Sequence, residues 1–295
     1  MKRWNAQIVG IFFLFTISIL GTSSPAQSQH FQPPDSTASS CFFSKKTISF
    51  LTVSSLFTTT LIDSYLKWWK GNYHAFDFYH ADQLGGWFSE PAILGIDKIG
   101  HFYGAYFLYK TKKNILLWGG FDESDATWIA FAFTSAVDLL IEIGDGFSNY
   151  AFDYRDLIVD AAGLGYAMLQ EKIPFFQNFN FKWSYFPPDK FSLTFTQHYD
   201  GHIFWLTANV HRLLNLQPDN HWTTIFQPAV GFSIGDGGAH RELVIGLDFN
   251  LNVLFNRVDS NWEFVRKEIE LFHVPAPGIK YAKPYHPEYK ALLFH

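Results

Sequence analysis

The sequence predicts an α+β protein, with a four-helix, membrane-associated module followed by an antiparallel β-rich region. Three observations carry that expectation. Residues 44–171 hold four apolar segments, three of which place ionisable residues three or four apart, the spacing of one helical face. Residues 172–189, with Pro174, Pro187 and Pro188, interrupt this pattern, and beyond them apolar residues recur at period two. The composition is 19% aromatic, with 33 Phe, and only 17% charged, where about one quarter is usual in globular domains. Abundant apolar mass with little charge points to a membrane as partner. The net charge of −5 and the lack of a basic run give no sign of nucleic-acid binding. Nothing in the chain indicates a protein partner.

Residues 1–26 have the pattern of a secretory signal. Lys2 and Arg3 precede an uncharged apolar run at residues 8–20, and Ser24, Pro25 and Ala26 supply small residues for cleavage. The run is short for a membrane span of ~20 residues, which favours cleavage over an uncleaved anchor. Either outcome takes the chain out of the cytoplasm, to the periplasm, the outer membrane or the cell envelope at large. Residues 27–43 are a polar lead-in, expected to be disordered. The single cysteine, Cys41, excludes an intrachain disulfide. It follows Ala38, Ser39 and Ser40, but it lies well beyond the apolar run and lacks an aliphatic residue three places earlier.

The first helix is expected over residues 47–66, apolar except for Asp63 and closed by Lys67-Trp68-Trp69-Lys70, a combination suited to a membrane–water interface. Residues 71–86 read as a polar connection containing His74, Asp77, His80 and Asp82 without tight ligand spacing. The second helix is expected over residues 91–109, with Pro91 in its first turn and Lys110, Lys112 and Lys113 at its end. Gly100 and Gly104 on it form a Gly-x-x-x-Gly pair, which permits close helix approach. The third is expected over residues 127–143, with Asp138, Glu142 and Asp145 on one face. The fourth is expected over residues 156–170, with Asp156 as a possible cap and Gly163, Gly165, Ala161, Ala162 and Ala167 as a small-residue packing surface. Period-two strands are expected within residues 190–256, at 191–196, 203–210, 223–234 and 243–255, with a turn at Gly235-Asp236-Gly237-Gly238. In the last strand Leu243, Ile245, Leu247 and Phe249 face one way, the pattern of a half-buried strand. Such strands also resemble those of outer-membrane barrels, but four cannot close a barrel of about eight. Residues 257–295 read as a short helix or strand and then an extended tail.

Three ionisable pairs recur on the helical faces: Asp97 with His101, Glu142 with Asp145, and Asp156 with Asp160. If the faces converge, the carboxylates need protons, Lys98, Arg155, water or a cation, because like charges so close cannot all ionise. Three interpretations follow. A divalent cation sits among Asp97, His101, Glu142, Asp145, Asp156 and Asp160, as in other helical bundles. Alternatively His101 and Glu142 act as an acid–base pair of a metal-dependent or acid–base hydrolase or transferase on an envelope lipid or glycan. In the third, the network of Asp97, Lys98, His101, Glu142, Asp145, Asp156 and Asp160 is structural. By spacing alone the third is preferred, and no Gly-x-Ser-x-Gly, phosphate loop or His-Glu-x-x-His supports the second.

The order Asp97-Lys98-x-Gly100-His101-Phe102, then Glu142-x-x-Asp145-Gly146, then Asp153-x-x-Asp156-Leu157-x-x-Asp160-x-x-Gly163 resembles the YfiM-like family of predicted periplasmic lipoproteins, a domain of unknown function. More distantly it is similar to VanZ-like membrane proteins. The resemblance spans residues 90–170 and implies a small helical envelope module without an assigned activity. It does not cover the β-rich region.

Overall fold

The computed structural model describes residues 44–80, 87–88, 93–186, 199–216, 221–254, 262–282 and 286–293. The expected signal, lead-in and 191–196 strand lie outside these residues, as do Pro91 and Asp82.

Four long helices come first. Helix α1 spans Lys45–Ser64 and runs on into a π-helical turn at Tyr65–Trp69. Ser44 caps it, its hydroxyl accepting from the Thr47 backbone N–H at 3.1 Å. The many hydroxyls that weaken its membrane signal donate to carbonyls one turn back, as Thr52 does to Ile48 and Thr60 to Leu56. Helix α2, Ile96–Trp118, starts at the left-handed Gly95 and continues nine residues past the expected end at Tyr109. The lysines expected to stop it find partners on other helices instead. Lys113 reaches Glu123 at 2.6 Å and Glu171 at 2.7 Å, and Lys110 donates to Gln170 at 3.0 Å. Helix α3 is Glu123–Gly146, capped by Asp122. Helix α4 is Tyr154–Lys172. Its cap is Asp153, which accepts from the Arg155 N–H at 3.0 Å, so Asp156 sits in the first turn rather than at the cap.

The Gly-x-x-x-Gly pair on α2 does not make a helix–helix contact. A Cβ at Gly104 would meet open space, and one at Gly100 would touch only the Phe204 ring. The close approach is at Gly163 of α4, where a Cβ would overlap the carbonyl of Phe102 on α2. The small-residue surface of α4 is correspondingly narrower than expected, with Gly163 and Ala167 buried and Ala161 and Ala162 exposed.

The second part is a six-stranded antiparallel meander in chain order: β1 Phe179–Tyr185, β2 His202–Ala208, β3 Phe226–Gly235, β4 His240–Phe249, β5 Gly278–Ala282 and β6 Glu288–Lys290. The α+β architecture therefore stands. Strand β1 falls in the stretch expected to be a boundary. Its alternation of Phe179, Phe181, Trp183 and Tyr185 is a strand signal crowded by nearby prolines. The expected turn joins β3 to β4, with Asp236, Gly237 and Gly238 all at positive φ. Helix α5, Glu263–Ile269, ties the sheet end back to α2, since Glu268 accepts from Thr111 at 2.7 Å and from Asn114 at 2.8 Å. The expected extended tail contributes β5 and β6.

One hydrophobic core joins both parts. Tyr103, Tyr106, Tyr109 and Leu116 of α2, Ala130 of α3 and Leu164 of α4 bury together, and Phe181, Trp183 and Phe204 of the sheet pack against them. Phe181 lies 4.7 Å from Phe102 and 5.1 Å from Tyr166, ring to ring.

The sheet corrects one expectation sharply. The apolar side of β4 is its exposed side: Ile245 is 57% exposed, and Leu243 and Leu247 are also open. The buried side carries Glu242, Val244 and Asp248. The register extends this across all six strands, for Phe181, Leu206, Val230, Ile245, Ile279 and Tyr289 face one another in one row. The helices cover Phe181 at the β1 end of that row and leave Leu206, Val230, Ile245, Ile279 and Tyr289 exposed. On the other face Lys182, wholly buried, lies 2.7 Å from Asp248 and 2.9 Å from Glu270. His273 stacks on Trp205 there at 3.9 Å.

Candidate functional site

The three sequence pairs converge, and the local sequence shows how. On α2, Asp97 and His101 lie one turn apart with Lys98 beside them. Helix α4 presents Asp156 and Asp160 one turn apart, with Asp153 at its cap. Gly163, the next residue on that side, lets the α4 backbone reach α2 at Phe102. That approach brings Asp160 Oδ1 to 3.2 Å from His101 Nδ1. From α3 comes Glu142, whose Oε2 accepts from the Asp153 backbone N–H at 3.3 Å.

The seam has two halves. In the first, Lys98 is buried among three carboxylates: Asp97 at 3.1 Å, Asp153 at 2.9 Å and Asp156 at 2.6 Å. Arg155 also clasps Asp153, through Nε at 2.8 Å and Nη2 at 2.6 Å, and its guanidinium stacks over Tyr79. The Tyr199 hydroxyl donates to Asp97 at 3.3 Å. Burial alone would raise the carboxyl groups here. The His101 and Lys98 charges outweigh it at Asp97, and bonds from Arg155 and Lys98 outweigh it at Asp153, so both stay below the usual range. Burial pushes Lys98 down, but Asp97 and Asp156 carry it above its ordinary value.

The second half is poorer in positive charge. His101 Nδ1 faces Asp160, and its Nε2 lies 3.8 Å from Asp97 and 3.9 Å from Asp156. Burial disfavours the imidazolium, but Asp160 and Asp156 raise it well above its ordinary value. Glu142 is only 1% exposed, and its Oε1 has no hydrogen-bond partner. Burial raises its carboxyl to about 9, with His101 opposing and Asp156 reinforcing. Deeper along α3, burial and Asp160 raise Asp138 to about 8, and burial lowers Lys112 to about 8. The arrangement can therefore hold protons at Glu142 and Asp138 near neutral pH, or a cation in their place. Two trios bring one possible metal-ligand atom each within 4.8 Å: Asp97, His101 and Asp156, and His101, Glu142 and Asp160.

Of the seven residues expected in the network, Asp145 stands at the rim. Its Oδ1 accepts from Trp69 Nε1 at 2.7 Å, and burial raises it to about 6. Sequence reasoning missed the central part of Asp153, although an Asp directly before a helix is a cap signal. Trp69, expected at a membrane–water interface, turns its indole N–H to Asp145 instead, and Tyr199 carried no signal, since each joins the seam from far away in the chain. His74 and His80 take no part; His80 lies 3.8 Å from Asp77 in an exposed pair.

Comparison with known families bears on this same stretch. Residues 85–172 match the predicted periplasmic lipoprotein family (DUF2279). The match covers α2, α3 and α4, and so every residue of the seam on those helices, but less than a third of the chain. It agrees with an exported, cell-envelope location. No curated protein and no solved structure matches the chain significantly.

Proposed function

We propose that this is a membrane-associated protein of the cell envelope in which the polar seam is a structural lock between α2 and α4. The observation that carries the lock is Lys98, 4% exposed and within 3.1 Å of carboxylates from α2, the α4 cap and the α4 first turn. A buried cation so placed is satisfied only in one register of the two helices, which supports a role in fixing that register. Residues 44–171 then act as the helical module, with the sheet as a second part resting on it. The motif order also supports a distant kinship with VanZ-like membrane proteins.

Membrane association rests on the sheet. Lys182, Glu242 and Asp248 point inward and are paired, while Val230, Leu243, Ile245 and Ile279 point outward. An exposed apolar face of this kind suits hydrocarbon better than water. Among the described residues α3 is the one helix long and apolar enough to cross a membrane, by length and composition alone, and it packs Ala126 and Ala130 into the core. Flotation of purified protein with phosphatidylethanolamine–phosphatidylglycerol vesicles tests this. Wild type is expected to float, and a Leu243→Glu/Ile245→Glu/Ile279→Glu variant to stay at the bottom while melting normally. Equal flotation of both, or of neither, would remove the sheet face from this account. The lock is tested by melting Lys98→Met, expected to fall far below wild type.

A further inference from the structure

The geometry points to a divalent-cation site formed by His101 Nδ1, Glu142 and Asp160, of the class that binds Zn²⁺ or Mn²⁺. It deepens the account of the seam as a lock, and rests on it, because the lock explains why only one half of the seam lacks compensation. Lys98 and Arg155 already serve Asp97, Asp153 and Asp156. The trio Asp97, His101 and Asp156 is thus served by an ammonium group, although its ligand atoms also lie within 4.8 Å of one another. The trio His101, Glu142 and Asp160 has no lysine or arginine within salt-bridge distance among the described residues.

The independent observation is Glu142 Oε1. It is a buried carboxylate oxygen, on a side chain 1% exposed, with no hydrogen-bond partner. Buried polar atoms are nearly always satisfied, so an orphan of this kind marks a missing donor or ion. Glu142 belongs to the trio that brings one ligand atom per residue within 4.8 Å of one another, and in that trio His101 Nδ1 and Asp160 Oδ1 stand 3.2 Å apart. Ligands about 2.0–2.2 Å from one cation lie roughly 3–3.5 Å apart, so only a small inward shift of Glu142 is required. The three side chains come from three different helices, and a cation here would tie α3 to the α2–α4 pair. His101 Nε2 lies 3.8 Å from Asp97 and 3.9 Å from Asp156, beyond hydrogen-bond distance, on the side of the ring away from Nδ1. Two carboxylates with one imidazole suit first-row divalent ions, because the imidazole nitrogen is a poor ligand for Mg²⁺ and Ca²⁺, which prefer oxygen.

Calorimetric titration of chelator-treated full-length protein with ZnCl₂, MnCl₂ and MgCl₂ tests the site. The expected result is one Zn²⁺ or Mn²⁺ per chain, with Mg²⁺ at least about tenfold weaker. Glu142→Gln, close in shape and uncharged, is expected to weaken Zn²⁺ about tenfold or more. A His74→Ala/His80→Ala variant is expected to bind as wild type does. No binding, unchanged binding in Glu142→Gln, or binding lost with His74 and His80 would overturn the proposal. Should Glu142→Gln fail to fold, ¹⁵N imidazole spectra of wild type decide, because Zn²⁺ must move the His101 Nδ1 resonance. The lock is judged separately: cation-free Lys98→Met melting like wild type would sink the lock, whatever the titration shows.

Discussion

Two regions of this molecule bury charge, and they solve the problem differently. In the sheet interior, Lys182 faces Asp248 and Glu270, Lys280 lies 2.7 Å from Glu242, and His273 is held neutral. Cations and carboxylates nearly balance, and an aromatic stack closes the space. In the helical seam, Asp97, Asp138, Glu142, Asp145, Asp153, Asp156 and Asp160 outnumber Lys98, Lys112, Arg155 and His101. Half of that seam is an ion-pair lock and half is left acidic. Near-balance is what a purely structural interior needs. An acidic excess must be relieved by protons or a cation, and that separates a supporting network from a candidate site.

The largest expected effect tests the lock. Lys98→Met leaves three carboxylates without their shared ammonium and should cost about 3–5 kcal/mol in chemical denaturation, as should Lys182→Met in the sheet. A Lys98→Met protein as stable as wild type would end the comparison, because the seam would then be no lock at all. Next in size, Gly163→Ala should cost about 1–3 kcal/mol by overlapping the Phe102 carbonyl, whereas Gly104→Ala should be neutral or stabilise by about 0.5–1 kcal/mol. Thermal melts of the pair would show which glycine sets the α2–α4 distance.

The two interiors should also differ in pH dependence. Glu142 and Asp138 are raised in the folded protein, to about 9 and about 8. Their contribution is complete below the ordinary carboxylate range and is lost as pH rises toward those values. His101, also raised, acts in the same direction. Burial lowers His273 to about 4, so its contribution is complete above the ordinary histidine value and is lost as pH falls toward 4. Melting temperature against pH for cation-free protein should therefore drop on the alkaline side less steeply in Glu142→Gln, and on the acid side less steeply in His273→Gln. Identical profiles for wild type and Glu142→Gln would remove the distinction between the interiors. The smallest effect on stability is expected at the sheet surface, where Ile245→Glu should change it by no more than about 0.5 kcal/mol. The same substitution should still reduce vesicle flotation measurably.

Much of the helical part was legible because helical spacing is local. Asp97 and His101, or Asp156 and Asp160, share a face by arithmetic, and apolar neighbours say that the face turns inward. Helix ends were less legible. Lys110, Lys112 and Lys113 looked like a stop, but Gln170, Glu171, Glu123 and Thr134 on other helices let α2 continue through them. Asp153 and Asp156 both carry a cap signal, and the structure gives the cap to Asp153. The sheet was half legible. Alternation gave β2, β3 and β4, yet period two does not say which side faces the interior.

By itself the sequence determined the α+β order, the three ionisable pairs and their helical faces, because these follow from chain-local periodicity. Only the tertiary structure decided which way the sheet turns its apolar side, which glycine brings α4 onto α2, and which carboxylates Lys98 takes. Those outcomes depend on contacts between residues far apart in the chain, such as Lys98 with Asp153 and Lys182 with Glu270, and no local pattern encodes them.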